Sequence, residues 1–191
     1  KPEKNIVYAG NWVVGFAENA KLGAAELKDS VVGIADNAFF QCGTLTSLKN
    51  LSKCAYIGTA AFYECTALET VSLNPRLETV EAYTFYKCKS LFRVSVPTML
   101  RSVGRSAFYG CSNLETVTFG ENLTGLGRYS FKNCSTLTAV ELPDTVTAVP
   151  EHAFANCSAL VTLKLGSGVT SIGDKAFYKC AGLSEVVLPD S

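Results

Sequence analysis

Apolar residues recur along this chain with a period far longer than that of a helix or a strand. A Phe returns every 23 residues, at Phe39, Phe62, Phe85, Phe108, Phe131, Phe154 and Phe177. A Leu follows six residues later each time: Leu45, Leu68, Leu91, Leu114, Leu137, Leu160 and Leu183. Next come Leu48, Val71, Val94, Val117, Val140, Leu163 and Val186, then Leu73, Val96, Phe119, Leu142, Leu165 and Leu188, with Asn50 as the one departure. The first half of each unit carries an apolar pair, as in Val31/Ile34, Leu77/Val80 and Val169/Ile172. A fixed period of about 20–50 residues marks an array of repeated units rather than a globule.

The units run 31–53, 54–76, 77–99, 100–122, 123–145, 146–168 and 169–191. Each ends in a period-2 run of Val, Leu and Thr, such as Leu114-Glu115-Thr116-Val117-Thr118-Phe119, which predicts a short strand with one buried face. Pro97, Gly120, Pro143, Gly166 and Pro189 close these runs. The Ala-Phe-x-x-Cys stretch lacks β-branched residues and spaces its apolar groups by three, which suits one turn of α or 3-10 helix. Glycines four residues before the Phe (Gly58, Gly104, Gly127, Gly173) predict a turn of special backbone conformation. The expected fold is an α/β repeat: a right-handed, curved solenoid with one short parallel strand per unit and the helical turn on the convex side. Eight strands at about 4.8 Å would span roughly 35 Å.

Residues 1–30 predict an N-terminal cap, continuous with the array over 31–191. Phe16, Asn19, Leu22, Ala25 and Leu27 keep the columns of a degenerate half repeat, and Ile6–Tyr8 and Trp12–Val14 flank a Gly10-Asn11 turn, as in a hairpin. Such caps shield a core that inner units pass to their neighbours. The chain begins at Lys1 without an initiator Met or signal peptide and ends at Ser191 on the last residue of a unit, so a trimmed piece of a longer protein is expected.

Composition narrows the function. Of 191 residues, 48% are hydrophobic and 18% charged, which excludes a disordered chain. Lys+Arg and Asp+Glu both number 17, which argues against nucleic acid as a partner, because phosphates need clustered basic charge. No apolar run approaches the roughly 18 residues of a membrane span.

Eight cysteines invite chemistry. Cys42, Cys65, Cys88, Cys111, Cys134, Cys157 and Cys180 keep the 23-residue period, while Cys54 fills one slot of an apolar pair. Neighbouring coils would bring equivalent cysteines within disulfide reach, but with parallel Cβ vectors. Zinc wants four ligands converging on a point, which a linear column does not supply. A nucleophilic thiol needs a base, and His152, the only His, falls in a column of Asn37, Ala60, Tyr83, Ser106, Tyr129 and Lys175 that is expected to be exposed. The favoured reading is a buried structural ladder of thiols, with Asn19 in the same column.

One unit, Val169-Thr170-Ser171-Ile172-Gly173-Asp174-Lys175-Ala176-Phe177-Tyr178-Lys179-Cys180-Ala181-Gly182-Leu183-Ser184-Glu185-Val186-Val187-Leu188-Pro189, resembles the repeat of the BspA-like, or Treponema pallidum-type, leucine-rich repeat family. That repeat reads approximately Leu-x-x-Ile-Gly-x-x-Ala-Phe-x-x-Cys-x-x-Leu-x-x-Ile-x-Ile-Pro. The resemblance covers 31–191 and, more weakly, 12–30. Thr84 and Ser130 depart from its Ala, and Asn74-Pro75 shifts its proline. It implies a non-catalytic module without cofactor, extracellular or at a bacterial cell surface, monomeric, and engaged in adhesion to a host or bacterial surface protein or a glycan.

Solenoids commonly bind through the exposed sheet face. Here its columns would be Ser47, Thr70, Arg93, Thr116, Ala139, Thr162, Glu185 and Lys49, Ser72, Ser95, Thr118, Glu141, Lys164, Val187. They fit a ligand site and an ordinary solvated face equally well, since Thr and Ser also favour strands. An aromatic stripe (Phe40, Tyr63, Tyr86, Tyr109, Tyr178, with Tyr83 and Tyr129 nearby) could grip a glycan or protein. Packing of successive rings against one another is the favoured reading. Phe92 stands in a column otherwise holding Thr46, Glu69, Glu115, Thr138, Val161 and Ser184, and so is a candidate contact. A glycan-binding module and a structural spacer presenting another domain are the competing readings.

Overall fold

Each unit closes one coil, and successive coils stack so that residues 23 apart pair side by side, as in Thr70↔Arg93 and Thr162↔Glu185. The computed structural model describes residues 5–188; Pro189, expected to close the last strand, and both chain ends lie outside them. The stack opens with β1 (Ile6–Ala9) and β2 (Trp12–Phe16), an antiparallel hairpin around Gly10 and Asn11. Gly10 takes φ 59°, the left-handed conformation such a tight turn requires.

Two parallel ladders run the length of the stack, where the sequence predicts one. The broad ladder holds β3 (Gly23–Glu26), β5 (Leu45–Lys49), β7 (Thr70–Ser72), β9 (Arg93–Ser95), β12 (Ala139–Glu141), β14 (Thr162–Lys164) and β16 (Glu185–Val187). Between β9 and β12 the fourth unit contributes only isolated bridges from Thr116 to Arg93 and Ala139. The very stretch Leu114–Phe119 that reads most plainly as a strand is therefore interrupted. The interruption coincides with Phe119, whose ring packs edge-on against Phe131 (5.8 Å, 74°) in a column that, Asn50 aside, elsewhere carries Leu or Val. The narrow ladder uses the apolar pairs: β2 is followed by β4 (Gly33–Ile34), β6 (Tyr56–Ile57), β8 (Thr79–Val80), β10 (Ser102–Val103), β11 (Gly125–Leu126), β13 (Ala148–Val149) and β15 (Ser171–Ile172). Its hydrogen-bonded groups are β1-β2-β4-β6, β8-β10-β11 and β13-β15.

The Ala-Phe-x-x-Cys stretch is not a helical turn. Alternate amides donate to the next coil: Asn37 N–H to Thr59 O, Phe39 N–H to Ala61 O and Gln41 N–H to Tyr63 O, at 3.0, 2.7 and 2.6 Å. The amides between them close turns within their own coil, as Ala38 to Ala35, Phe40 to Asn37 and Cys42 to Phe39. A helix would aim every amide along its own axis and leave none for the neighbouring coil. Two left-handed residues per unit make the alternation possible: Asn37 and Gln41, Ala60 and Glu64, Tyr83 and Lys87, and onward to Lys175 and Lys179, with φ between 52° and 71°. The result is a third axial ladder made entirely of turns.

Glycine's role differs from the sequence expectation. The left-handed backbone belongs to residues such as Ala60 and Tyr83, whereas Gly104 has no positive φ. A Cβ on Gly104 would lie 2.5 Å from the Ala82 amide nitrogen, so what this column needs is room for the preceding coil. Inside the three ladders, six Phe rings from Phe39 to Phe154 are almost fully buried and stack at 5.1–5.3 Å. Asn50, the departure from its apolar column, is explained by its amide, which donates to Glu26 Oε1, the Leu27 carbonyl and Asp29 Oδ1; Leu51 fills the core beside it.

Gly104→Ala is expected to lower stability by about 1–3 kcal/mol in urea unfolding, the usual cost of overpacking; an unchanged midpoint would refute the close approach. Lys175, exposed at φ 54°, is expected to gain about 0.5–1 kcal/mol on replacement by Asn, which tolerates left-handed backbone better. The same titration should show the midpoint of Lys175→Asn shifted upward.

Candidate functional site

The cysteine column sits directly behind the turn ladder. From Cys65 onward each thiol reaches across to the coil before it: Cys65 Sγ donates to Phe39 O at 3.0 Å, Cys88 to Phe62 O at 3.0 Å, Cys111 to Phe85 O at 3.1 Å. Cys134, Cys157 and Cys180 repeat the contact at 3.2 Å on Phe108, Phe131 and Phe154. The same Phe carbonyls already accept a backbone amide, as Phe39 O does from Cys42 N–H, so the second lone pair takes the thiol. All eight cysteines are free, and all but the half-buried Cys180 are buried. Asn19 lies outside the ladder: it is exposed, with φ 60°, because the first coil turns there instead of packing inward.

Burial pushes the thiols up. Cys54, whose Sγ donates to Tyr56 O, rises to about 11, and Cys65, Cys88, Cys111, Cys134, Cys157 and Cys180 all move above the ordinary thiol range for the same reason. A nucleophile needs the opposite shift. His152 is half-buried rather than exposed. It takes a left-handed turn position, stacks on Tyr129 at 5.2 Å, and holds Nδ1 3.3 Å from Glu151. Among the described residues, no cluster of His, Cys, Asp and Glu could hold a metal ion, and no helix is long and apolar enough to cross a membrane.

The broad ladder carries the sequence-derived binding candidates. Thr70, Arg93, Thr116 and Thr162 lie in one row, and Ser72, Ser95, Glu141 and Lys164 in the next. Glu141 and Lys164 pair with each other, and Thr162 bonds Glu185 at 3.4 Å. Two shallow depressions flank the interrupted rung. One of about 230 Å³ is lined by Thr116, Thr118, Phe119, Glu121 and Glu141; the other, about 430 Å³, by Arg93, Ser95, Thr98, Thr116, Thr118 and Phe119. The structure thus gathers Arg93, Ser95, Thr116, Thr118 and Glu141 around one place and leaves Thr70 and Ser72 beside it. Phe92, 38% exposed, adjoins Arg93.

The aromatic stripe lies elsewhere, on the turn ladder. Phe40, Tyr63, Tyr86 and Tyr109 stack at 4.6–4.8 Å with planes within 13°. Tyr86 therefore has both faces covered, and Tyr109 one. Gln41 Nε2 and Lys87 Nζ each lie 3.0 Å from Glu64, whose carboxyl they hold below its usual range.

The periodic columns match a family model described as BspA type leucine rich repeat region, in six copies, over residues 14–138 and 78–191. The chain belongs to the BspA-type leucine-rich repeat family. Two solved leucine-rich repeat proteins resemble this one over nearly its whole length. A Treponema pallidum leucine-rich repeat protein aligns with TM-score 0.85 and 27% identity over 96% of this chain and 90% of its own. A leucine-rich repeat protein from Bacteroides ovatus aligns with TM-score 0.91 and 28% identity over 97% of this chain, which spans 52% of that protein. A leucine rich cell surface protein from Faecalibacterium prausnitzii shares the fold at TM-score 0.58 and 20% identity, over 97% and 68% of the two chains. No curated protein matches. Leucine-rich repeat proteins are in general protein-binding scaffolds.

The thiol column makes stability depend on alkaline pH. The folded-state values of Cys54 and of the column from Cys65 to Cys180 are raised, so stability is full below the ordinary thiol range and falls as pH rises past it, because the unfolded chain loses these protons first. The loss approaches about 1.4 kcal/mol per pH unit for each buried thiol. It should begin near pH 9 and persist to pH 11 and beyond, measured as the urea midpoint at stepped pH; Cys54→Ala should make the slope shallower. A flat profile over that interval would contradict the burial of the column.

Proposed function

We propose that this chain is a non-catalytic recognition module of a secreted or surface-exposed bacterial protein, which binds a host or bacterial surface protein through its broad ladder. The observation that carries this reading is the interrupted fourth rung. A regular ladder repeats one surface from coil to coil, and a partner needs a place that differs. Here the depressions beside Phe119 combine an apolar floor, the Thr116 and Thr118 hydroxyls, one cation at Arg93, and carboxylates at Glu121 and Glu141. Exposed Phe92, next to Arg93 in the chain, supplies an aromatic anchor, the kind of residue that concentrates binding energy in protein interfaces. Family membership supports the surface location and the protein partner. A spacer would need no such irregularity.

Binding should be tested with surface and matrix proteins presented to the immobilised chain, followed by titration of any that bind. Phe92→Ala and Arg93→Glu are each expected to weaken binding at least tenfold, about 1.4 kcal/mol or more, while circular dichroism stays unchanged. Equal affinity of both variants and the wild-type chain would move the site off this face.

A further inference from the structure

The N-terminal end of the narrow ladder exposes two aromatic rings that no coil covers. Trp12 and Tyr56 are 39% and 41% exposed, with centroids 5.6 Å apart and planes inclined at 52°. Trp12 is held in place from below. A Cβ on Gly33 would fall 2.6 Å from its Cζ3, so the indole lies flat on bare backbone and the opposite face is turned outward. Tyr56 lies close to the Asp36 carboxylate. Burial raises its phenol pKa first, and the charges of Asp36 and Glu81 add to the rise. Asp36 is itself fixed by the Thr59 amide at 2.9 Å. Beside Tyr56 opens a depression of about 350 Å³ lined by Arg76, Glu78, Thr79 and Glu81.

We propose that the Trp12–Tyr56 corner and this depression form a saccharide-binding subsite that takes a neutral pyranose unit. Two rings set at an angle offer one flat apolar platform and one wall, which suits the C–H face of a sugar ring. Hydroxyls around the rim of such a ring need acceptors and donors in the same plane. The Glu78 and Glu81 carboxylates accept, and the Arg76 guanidinium and Thr79 hydroxyl donate. The charge balance selects among glycans. Glu78 and Glu81 outnumber Arg76 in the lining, and Arg101 lies outside it, paired with Glu78 at 3.4 Å, so sulfated and sialylated sugars are disfavoured. A quaternary ammonium is disfavoured by geometry, because rings in mutual contact at 5.6 Å leave no space between them for a cation. The stacked tyrosines cannot serve the same purpose, since their faces are spent on one another. This subsite lies on a different ladder from the proposed protein-binding face and would supply a second class of ligand.

Trp12 is the only tryptophan, so its emission reports on this corner alone. The whole chain should be screened on a glycan array and then titrated with oligosaccharides of glucose, galactose and N-acetylglucosamine, with heparin as the sulfated control. A saturable change in Trp12 emission with a neutral oligosaccharide, weakened at least tenfold in Tyr56→Ala and in Glu81→Gln at unchanged melting temperature, is the expected result. Trp12→Phe, which keeps a ring over Gly33, should retain array binding with reduced affinity. An array without neutral hits, binding of sulfated or sialylated glycans alone, or a response unaltered in both Tyr56→Ala and Glu81→Gln would overturn the proposal. None of these substitutions touches Phe92 or Arg93, so failure here leaves the protein-binding face standing, and the converse also holds.

Discussion

Hydrogen bonds along the stack axis are the interaction on which everything else depends. Three ladders carry them: the broad strands, the narrow strands and the turns. Because all three repeat every 23 residues, each side chain meets its own equivalent in the coils before and behind. A residue type survives in a column only if it tolerates that company. Phe does, by stacking. Cys does, by donating to the carbonyl of the previous Phe instead of meeting another sulfur. Charges are most often accommodated beside an opposite one in the next coil, as Glu64 with Lys87, Glu78 with Arg101, Arg128 with Glu151 and Glu141 with Lys164. Equal totals of acidic and basic residues fit an architecture that sets opposite charges side by side on its surface.

The same constraint explains which features could be read from the sequence. Columns of Phe, Leu and Val announce themselves because a buried neighbour punishes any other choice in every copy. The turn ladder does not, since its requirement is a backbone angle and not a side chain. Its left-handed columns hold Asn37, Gly110, Asn133 and Asn156, residues known to accept that angle, but also Tyr83, Lys87 and His152, which conceal it. Scattered Asn and Gly in two columns four residues apart were the available signal. The conserved spacing of Ala, Phe and Cys instead mimics a helical turn. Glycine misleads in the opposite direction: at Gly104 it answers a neighbour's backbone, whose approach only the stacked coils reveal.

Sites of recognition were legible as columns but not as places. The rows of Thr70, Arg93, Thr116 and Thr162 follow from period-2 alternation alone. Which rung would break does not, because Leu114–Phe119 satisfies every strand criterion and the bulk of Phe119 matters only once Phe131 lies beside it. Trp12 falls within the predicted cap, and Tyr56 in no column that the sequence singles out. Their meeting depends on Gly33, the small residue between them that lets the indole fold flat across one coil to reach the next.

A periodic molecule faces a particular difficulty in recognising anything. Identical coils present identical surfaces, so a ligand bound at one rung would bind nearly as well one rung along, and neither position nor orientation would be specified. Specificity therefore has to come from departures that the core can absorb. Phe119 replaces a smaller residue yet finds an aromatic edge to rest on; Phe92 interrupts a polar column at the surface, where an extra ring costs little. Trp12 belongs to the cap, the one coil exempt from matching a predecessor. Each departure lies where the axial hydrogen bonds constrain the side chain least, at a broken rung, an outward column and an end. In a stack of this kind, the places free to vary and the places able to recognise are selected by the same ladders.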